Sequence, residues 1–269
     1  MKKSNKIALL KLGGSLLTNK SKPFSIREDI VKNAVEQIIN ANEKVILIHG
    51  GGSFGHPLAK RFKISNGIDN SIPNQIFGLV ETHHSMVKFN SYLINLFLER
   101  NYPVLSIQSS GIFIKNNQEI SNYSIPIIES ALGLNILPIL YGDIIFDKQG
   151  SFSIISGDQI IFELCDNLKS YWVSKVIFAM EVDGLYVKGK NKDCVLINEC
   201  YPEELESLEL ADLGQKIDVT GGIRSKLSTI EKVCKYNIPV QLINGIKEDY
   251  IYKSLKDEKL NCTNILIKI

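Results

Sequence analysis

The chain has 269 residues, enough for a large hydrophobic core in one α/β domain or in two closely packed lobes. Hydrophobic residues make up 44% and charged residues 22%, ordinary for a soluble globular protein, and no apolar run approaches the length of a membrane span. A net charge of +2 without a Lys/Arg block argues against nucleic acid as a partner, so anionic ligands must be met by a few placed lysines and not by a global field.

The first residues, Met-Lys-Lys, are followed by an apolar run of only Ile7–Leu10 before Lys11 interrupts it. That is too short for a secretory signal, and a cytoplasmic protein is expected. Ile7-Ala8-Leu9-Leu10 reads as the first strand, ending in Lys11-Leu12-Gly13-Gly14-Ser15. Ser25-x-x-Glu28 has the form of a capping box, and Ile30, Val31, Ala34, Val35, Ile38 and Ile39 follow at helical spacing. Val45–Ile48 reads as a second strand running into His49-Gly50-Gly51-Gly52-Ser53-Phe54-Gly55-His56-Pro57, with a helix expected to begin near Pro57. A longer helix is predicted over Glu81–Arg100, its Met86, Phe89, Leu93, Leu96 and Phe97 facing the core.

Pro103–Ile107 and Ile136–Leu140 read as further strands, and Asp143–Ser156 as a hairpin turning at Asp147-Lys148-Gln149-Gly150. A helix over Asp158–Leu168 leads to a strand over Val173–Ala179 and then to Glu181-Val182-Asp183-Gly184. A helix after Gly222 carries Leu227, Ile230 and Val233; strands at Val240–Ile243 and Thr263–Ile267 complete the chain. Strands alternating with helices predict an α/β fold, a three-layer sandwich whose mostly parallel open sheet is covered by helices on both faces. A lobe boundary is placed near Ser170, giving lobes of residues 1–170 and 171–269 on one continuous sheet.

The His49–Pro57 run is the most informative stretch. Consecutive glycines at a strand end let backbone N–H groups crowd around an anion, and a following helix N-terminus adds partial positive charge. His56 can donate to a phosphate oxygen. Gly50, Gly52 and Gly55 also satisfy G-x-G-x-x-G, but the segment Lys60–Asn70, which holds Asp69, contains no apolar strand, as a dinucleotide fold would require. No Walker A loop is present.

Other polar clusters also fall at strand ends, where open α/β sheets bind ligands. They are Lys11–Ser15 with Lys20 nine residues after Lys11, Ser156-Gly157-Asp158, and Asp218-Val219-Thr220-Gly221-Gly222-Ile223-Arg224-Ser225-Lys226. Two glycine turns with lysines and a third with a histidine suit two phosphate-bearing ligands meeting head to head. Taken singly, each lysine could be a surface cation, Asp158 a helix N-cap, His49 a structural residue, and His83 and His84 surface or core residues. Five cysteines (165, 194, 200, 234, 262) without a C-x-x-C pair argue against a disulfide framework and a zinc site.

Lys11-Leu12-Gly13-Gly14-Ser15, the glycine loop after the second strand, Val182-Asp183-Gly184-Leu185-Tyr186 and Asp218-Val219-Thr220-Gly221-Gly222 resemble the amino acid kinase superfamily nearly end to end. Within it, His49–Pro57 with Ser156-Gly157-Asp158 is similar to isopentenyl phosphate kinases and to the related fosfomycin kinases. The amino acid and UMP kinases of the fold lack the His56 equivalent.

The resemblance implies ATP-dependent conversion of isopentenyl phosphate to isopentenyl diphosphate in isoprenoid biosynthesis, with Mg²⁺ carried on ATP and no protein metal ligand. It implies that Lys11 and Lys226 contact the ATP phosphates, that Asp158 holds those lysines, and that Lys20 reaches the γ-phosphate. Gly51, His56 and Gly157 would bind the acceptor phosphate. Gly13, Gly14, Ser15, Gly52, Asp183, Gly184 and Gly222 would line the nucleotide site. A homodimer is the implied assembly.

One departure is visible: Met180-Glu181-Val182-Asp183-Gly184 stands where the family often reads Thr-Asp-Val-Asp-Gly. A fosfomycin-type or other small phosphate or phosphonate kinase is the nearest alternative. A non-catalytic nucleotide-binding protein is a rival of another class, and an NAD-dependent oxidoreductase ranks last.

Overall fold

The computed structural model describes residues 5–19, 21–117, 119–189, 193–211 and 222–267. The chain opens with strand β1 (Lys6–Leu12), the short helix α1 (Gly14–Leu17), α2 (Glu28–Ala41), β2 (Val45–His49) and α3 (Gly52–Arg61). Next come α4 (Gln75–Leu98), β3 (Val104–Ser106), α5 (Ser109–Ile112), a hairpin of β4 (Phe113–Asn116) and β5 (Glu119–Tyr123), α6 (Ile125–Gly133) and β6 (Leu137–Tyr141). A second hairpin, β7 (Asp143–Phe146) with β8 (Phe152–Ile155), leads to α7 (Gly157–Asn167) and β9 (Trp172–Met180). The last part holds β10 (Tyr186–Lys188), β11 (Cys194–Leu196), β12 (Glu199–Cys200), α8 (Gly222–Cys234), β13 (Val240–Asn244), α9 (Tyr250–Leu255) and β14 (Thr263–Ile265).

Among the described residues, eight strands form one sheet in the order β12-β14-β13-β9-β1-β2-β6-β3. Every neighbouring pair is parallel except β13 with β14. Helices cover both faces, as the alternating pattern predicts. Along β1, Ile7 and Leu9 join Ile46, Ile48, Phe178 and the inner faces of α7 and α8 in one core. Ala8, Leu10 and Leu12 join Leu47, Ile177 and the inner faces of α2 and α4 in the other. A smaller cluster of Ala59, Phe62, Leu79, Ile144 and Phe152 packs the β7–β8 hairpin against α3 and α4. Among the described residues no helix is long and apolar enough to cross a membrane. All five cysteines are free thiols.

Three expected boundaries are corrected. Helix α3 starts at Gly52, not near Pro57, so the last glycine of the run already opens the helix and Gly51 is its N-cap. Pro57 lies within the helix and has no N–H to bond the Ser53 carbonyl, which instead accepts the Phe24 N–H at 3.2 Å. Helix α2 begins at Glu28 with no side-chain cap, so Ser25-x-x-Glu28 is not a capping box. The Ser25 backbone N–H donates to Ser53 Oγ at 3.1 Å instead. Helix α4 begins at Gln75, not at Glu81, because buried Gln75 ties the preceding loop down. Its Oε1 accepts from the Asp69 N–H at 2.8 Å and its Nε2 donates to the Phe62 and Gly67 carbonyls at 3.2 and 3.0 Å. Ile76, Phe77 and Val80 in that first part are exposed, so no apolar stripe announces it.

Leu10 has no solvent exposure and lies in the central strand. Leu10→Ala should destabilise the fold by about 2–5 kcal/mol. The check is a lower urea midpoint with an unchanged slope in equilibrium unfolding.

Candidate active site

The site grows from strand parity. Ile7 and Leu9 face α7 and α8, so Lys11 projects to that same side, and it is only 8% exposed. Its register partner on β9 is Phe178, and the Lys11 Nζ lies 5.9 Å from that ring centre. Lys226, on α8, approaches the same ring to 4.5 Å. Between the two ammonium groups stands Asp158, in the first turn of α7. Lys11 Nζ is 2.6 Å from Asp158 Oδ1, and Lys226 Nζ donates to Oδ1 at 3.1 Å and to Oδ2 at 3.3 Å.

Asp158 is not the N-cap of its helix. Ser156 holds that position, its Oγ accepting the Gln159 N–H at 3.1 Å. Asp158 is thereby left to bind both lysines. Gly157 makes the arrangement possible, because a Cβ there would fall 2.9 Å from Lys11 Cε.

The charges shift one another. Burial alone would raise the Asp158 carboxyl, but the two ammonium groups outweigh it and bring its pKa down to about 2. For Lys226, burial first and the Lys11 charge second lower the pKa to about 7, against the opposing pull of Asp158. Two cations around one anion leave an uncompensated positive charge in a nearly buried place. An incoming phosphate would neutralise it.

The glycine loops leave adjacent strands side by side. Gly13 N–H donates to the Ala179 carbonyl and Gly50 N–H to the Leu12 carbonyl, each at 3.0 Å. A Cβ on Gly14 would lie 2.3 Å from Gly52 N, and one on Gly50 would lie 2.7 Å from Gly14 N. Backbone therefore meets backbone here, and only glycine permits it. His56 follows in α3, exposed and on the cavity wall.

One cavity of about 620 Å³ brings together Lys11, Gly13, Gly14, Ser15, Gly51, Gly52, His56, Gly157, Asp158 and Lys226. Asp183 and Gly184 are not on its wall. Asp183 is bound by Lys247 at 2.8 Å, Asn244 Nδ2 at 3.0 Å and the Tyr186 hydroxyl at 3.1 Å. Gly184 packs against Thr263 so closely that a Cβ would lie 2.1 Å from its Oγ1. Gly222 opens α8. Lys20 and the run Asp218 to Gly221 lie outside the described residues.

His49 is the structural residue expected: it is fully buried, stacks on Tyr141, and burial lowers its pKa to about 4. Asp143, backed by His83, is a candidate site residue that sequence reasoning missed. Asp143 lines the cavity at 2% exposure, and burial raises its carboxyl despite its partners. Its Oδ1 lies 2.9 Å from His83 Nδ1, its Oδ2 accepts the Ser110 hydroxyl at 2.8 Å, and its Oδ1 accepts the Ile144 N–H at 2.8 Å. Gly142-Asp143 at a strand end was the available signal. Its meaning depends on α4 and α5, which are distant in the chain.

Comparison with known proteins gives one consistent answer. A sequence model of the amino acid kinase family matches residues 6–244. The isopentenyl phosphate kinase of Methanocaldococcus jannaschii is 35% identical over 94% of this chain and 96% of that protein. That of Methanothermobacter thermautotrophicus is 31% identical over 96% of this chain and 98% of that protein. A solved isopentenyl phosphate kinase structure superposes with a TM-score of 0.80 at 28% identity, covering 96% of this chain and 99% of that one.

With its pKa near 7, Lys226 is partly neutral just above neutral pH, and a bound polyphosphate raises that pKa again. Binding of ATP at pH 7.5 should therefore draw a proton onto Lys226. Calorimetry in buffers of differing ionisation heat should show more proton uptake for the wild type than for Lys226→Met. Equal uptake in the two proteins contradicts the assignment.

Proposed function

Because the chain belongs to the amino acid kinase family, we propose that it transfers the γ-phosphoryl group of ATP to isopentenyl phosphate, forming isopentenyl diphosphate for isoprenoid biosynthesis. The observation that carries this reading is His56, behind the glycine run and in one cavity with Lys11, Asp158 and Lys226. Ala59, Met86 and Ile154 line the same cavity, a surface suited to a short hydrocarbon tail.

In this reading Gly51, His56 and Gly157 hold the acceptor phosphate. Lys11 and Lys226 stabilise the charge on the transferring group, and Asp158 orients both lysines. Gly13, Gly14, Ser15 and Gly52 pack against the nucleotide phosphates, with Asp183, Gly184 and Gly222 toward the nucleoside and Lys20 at the γ-phosphate. An oxygen of the acceptor phosphate forms the new bond to phosphorus as the bond to the ADP oxygen breaks. That oxygen is already ionised near neutral pH, so no side chain need act as base. Catalysis consists of positioning and charge stabilisation. Mg²⁺, bound to ATP oxygens and water, would supply further charge neutralisation. Asp158 is committed to the lysines, and no protein ligand is assigned to the metal. Residues 1–170 would carry the acceptor site and part of the transfer site, and residues 171–269 the nucleotide site. The working unit would be a cytoplasmic homodimer.

The direct test is a coupled ADP-release assay with a panel of acceptors. Isopentenyl phosphate should exceed fosfomycin, glutamate and UMP by a wide margin in kcat/KM. A carboxylate acceptor of comparable kcat/KM would sink the assignment, and a preference for fosfomycin would favour the phosphonate kinase.

His56 is read as a hydrogen-bond donor and not as a base. His56→Gln keeps an N–H donor in about the same place, whereas His56→Ala removes it. The Gln variant should retain much more activity than the Ala variant, measured at saturating and subsaturating acceptor. Equal, near-complete loss of kcat in both folded variants would show a titrating role.

A further inference from the structure

Transfer between two phosphates requires that the loops holding them stand at a set separation, and one buried hydroxyl bridges those loops. Thr18 follows α1 directly and is 1% exposed. Its Oγ1 donates to the Gly14 carbonyl at 2.7 Å and accepts the Ser53 N–H at 2.8 Å. Ser53 is the second residue of α3, whose N-cap residue, Gly51, supplies no side-chain cap. The hydroxyl that ends one phosphate loop therefore caps the helix that begins the other.

The fit is tight. Gly52 has φ +47, and a Cβ there would lie 2.1 Å from Thr18 Oγ1. Ser53 is fastened from its other side as well. Its Oγ donates to the Ser25 carbonyl at 3.2 Å and accepts the Ser25 N–H at 3.1 Å. Phe24, at φ +55, gives its N–H to the Ser53 carbonyl that Pro57 leaves open. A bulky residue in that left-handed region is held there by its surroundings.

We propose that Thr18 is the positioning residue that sets the spacing between Gly13–Ser15 and Gly51–His56, and so governs the rate of in-line transfer without touching either substrate. The inference rests on the functional reading above, in which the first loop holds nucleotide phosphate and the second holds acceptor phosphate. Each loop keeps its own ligand contacts when the bridge is cut. What changes is their mutual distance, and reacting groups displaced by about 1 Å lose on the order of 10²-fold in rate.

The experiment uses the whole 269-residue chain. Thr18→Val preserves shape and removes the hydroxyl, and Thr18→Ser restores it. Thr18→Val should lower kcat by about 10²-fold, while calorimetric Kd values for ATP alone and isopentenyl phosphate alone stay within about threefold. Thr18→Ser should stay near the wild-type kcat. A role in stability alone would lower Tm and leave the kcat of folded enzyme intact, which overturns the proposal. So does a loss confined to KM. If Thr18→Val does not fold, Thr18→Cys replaces the hydroxyl by a larger, weakly accepting sulfur and should still cut kcat about tenfold or more with both Kd values unchanged. A wild-type kcat in that variant is again fatal. Wild-type enzyme that transfers to no phosphate acceptor overturns the functional reading and this inference with it. Normal wild-type transfer beside an unimpaired Thr18 variant overturns the inference alone.

Discussion

One carboxylate serves two ammonium groups at the floor of the cavity, and the rest of the site depends on that imbalance. Asp158 lies 2.6 Å from Lys11 and 3.1 Å from Lys226, with the lysine side chains 10% and 12% exposed. Burying a net positive charge is unfavourable unless an anion completes the set. Burial first, and the neighbouring Lys11 charge second, depress the pKa of Lys226 against the pull of Asp158. The face of Phe178 beneath both ammonium groups offsets part of the cost through its ring quadrupole. Such a surplus suits the proposed function, in which the main obstacle is repulsion between two phosphate-bearing substrates.

The surplus works only where backbone can come close to it. β9, β1, β2 and β6 run parallel and adjacent, so their following loops issue from one edge of the sheet. Loops from β1 and β2 then touch backbone to backbone, at separations that a single Cβ on Gly14 or Gly50 would destroy. Gly157 keeps the third approach open for the Lys11 stem. The glycines thus do two separate jobs: some allow close approach of main chains, and one makes room for the Lys11 side chain.

The walls are tied by polar contacts that link distant segments. Arg27 Nη1 lies 2.5 Å from Glu181 and donates to the Ser15 carbonyl at 3.4 Å, joining the loop after β9 to α1. Glu181, directly after β9, supplies the carboxylate that Arg27 binds. Asp143 fastens the base of the β7–β8 hairpin to α4 through His83 and to α5 through Ser110. These ties hold parts of the cavity that come from segments far apart in sequence.

Local pattern was sufficient for much of this protein. The apolar runs of β1, β2, β6, β9 and β13 were legible because strands buried on both faces need continuous hydrophobic sequence. The glycine turns were legible because few other backbones need three glycines in a row. Lys11, His56, Asp158 and Lys226 stood out by their places at strand ends and helix starts. What tertiary structure alone decided is how these pieces meet. Helix α3 starts inside the glycine run because Phe24 and Thr18, from another segment, satisfy its Ser53 carbonyl and N–H. Asp158 is a lysine partner because Ser156 takes the cap. Asp143 and His83, separated by 60 residues, acquire meaning only when the hairpin folds onto α4. Periodicity reports which face of an element is buried, whereas hydrogen-bond partners and charge neutralisation are set by neighbours that the chain brings together only on folding.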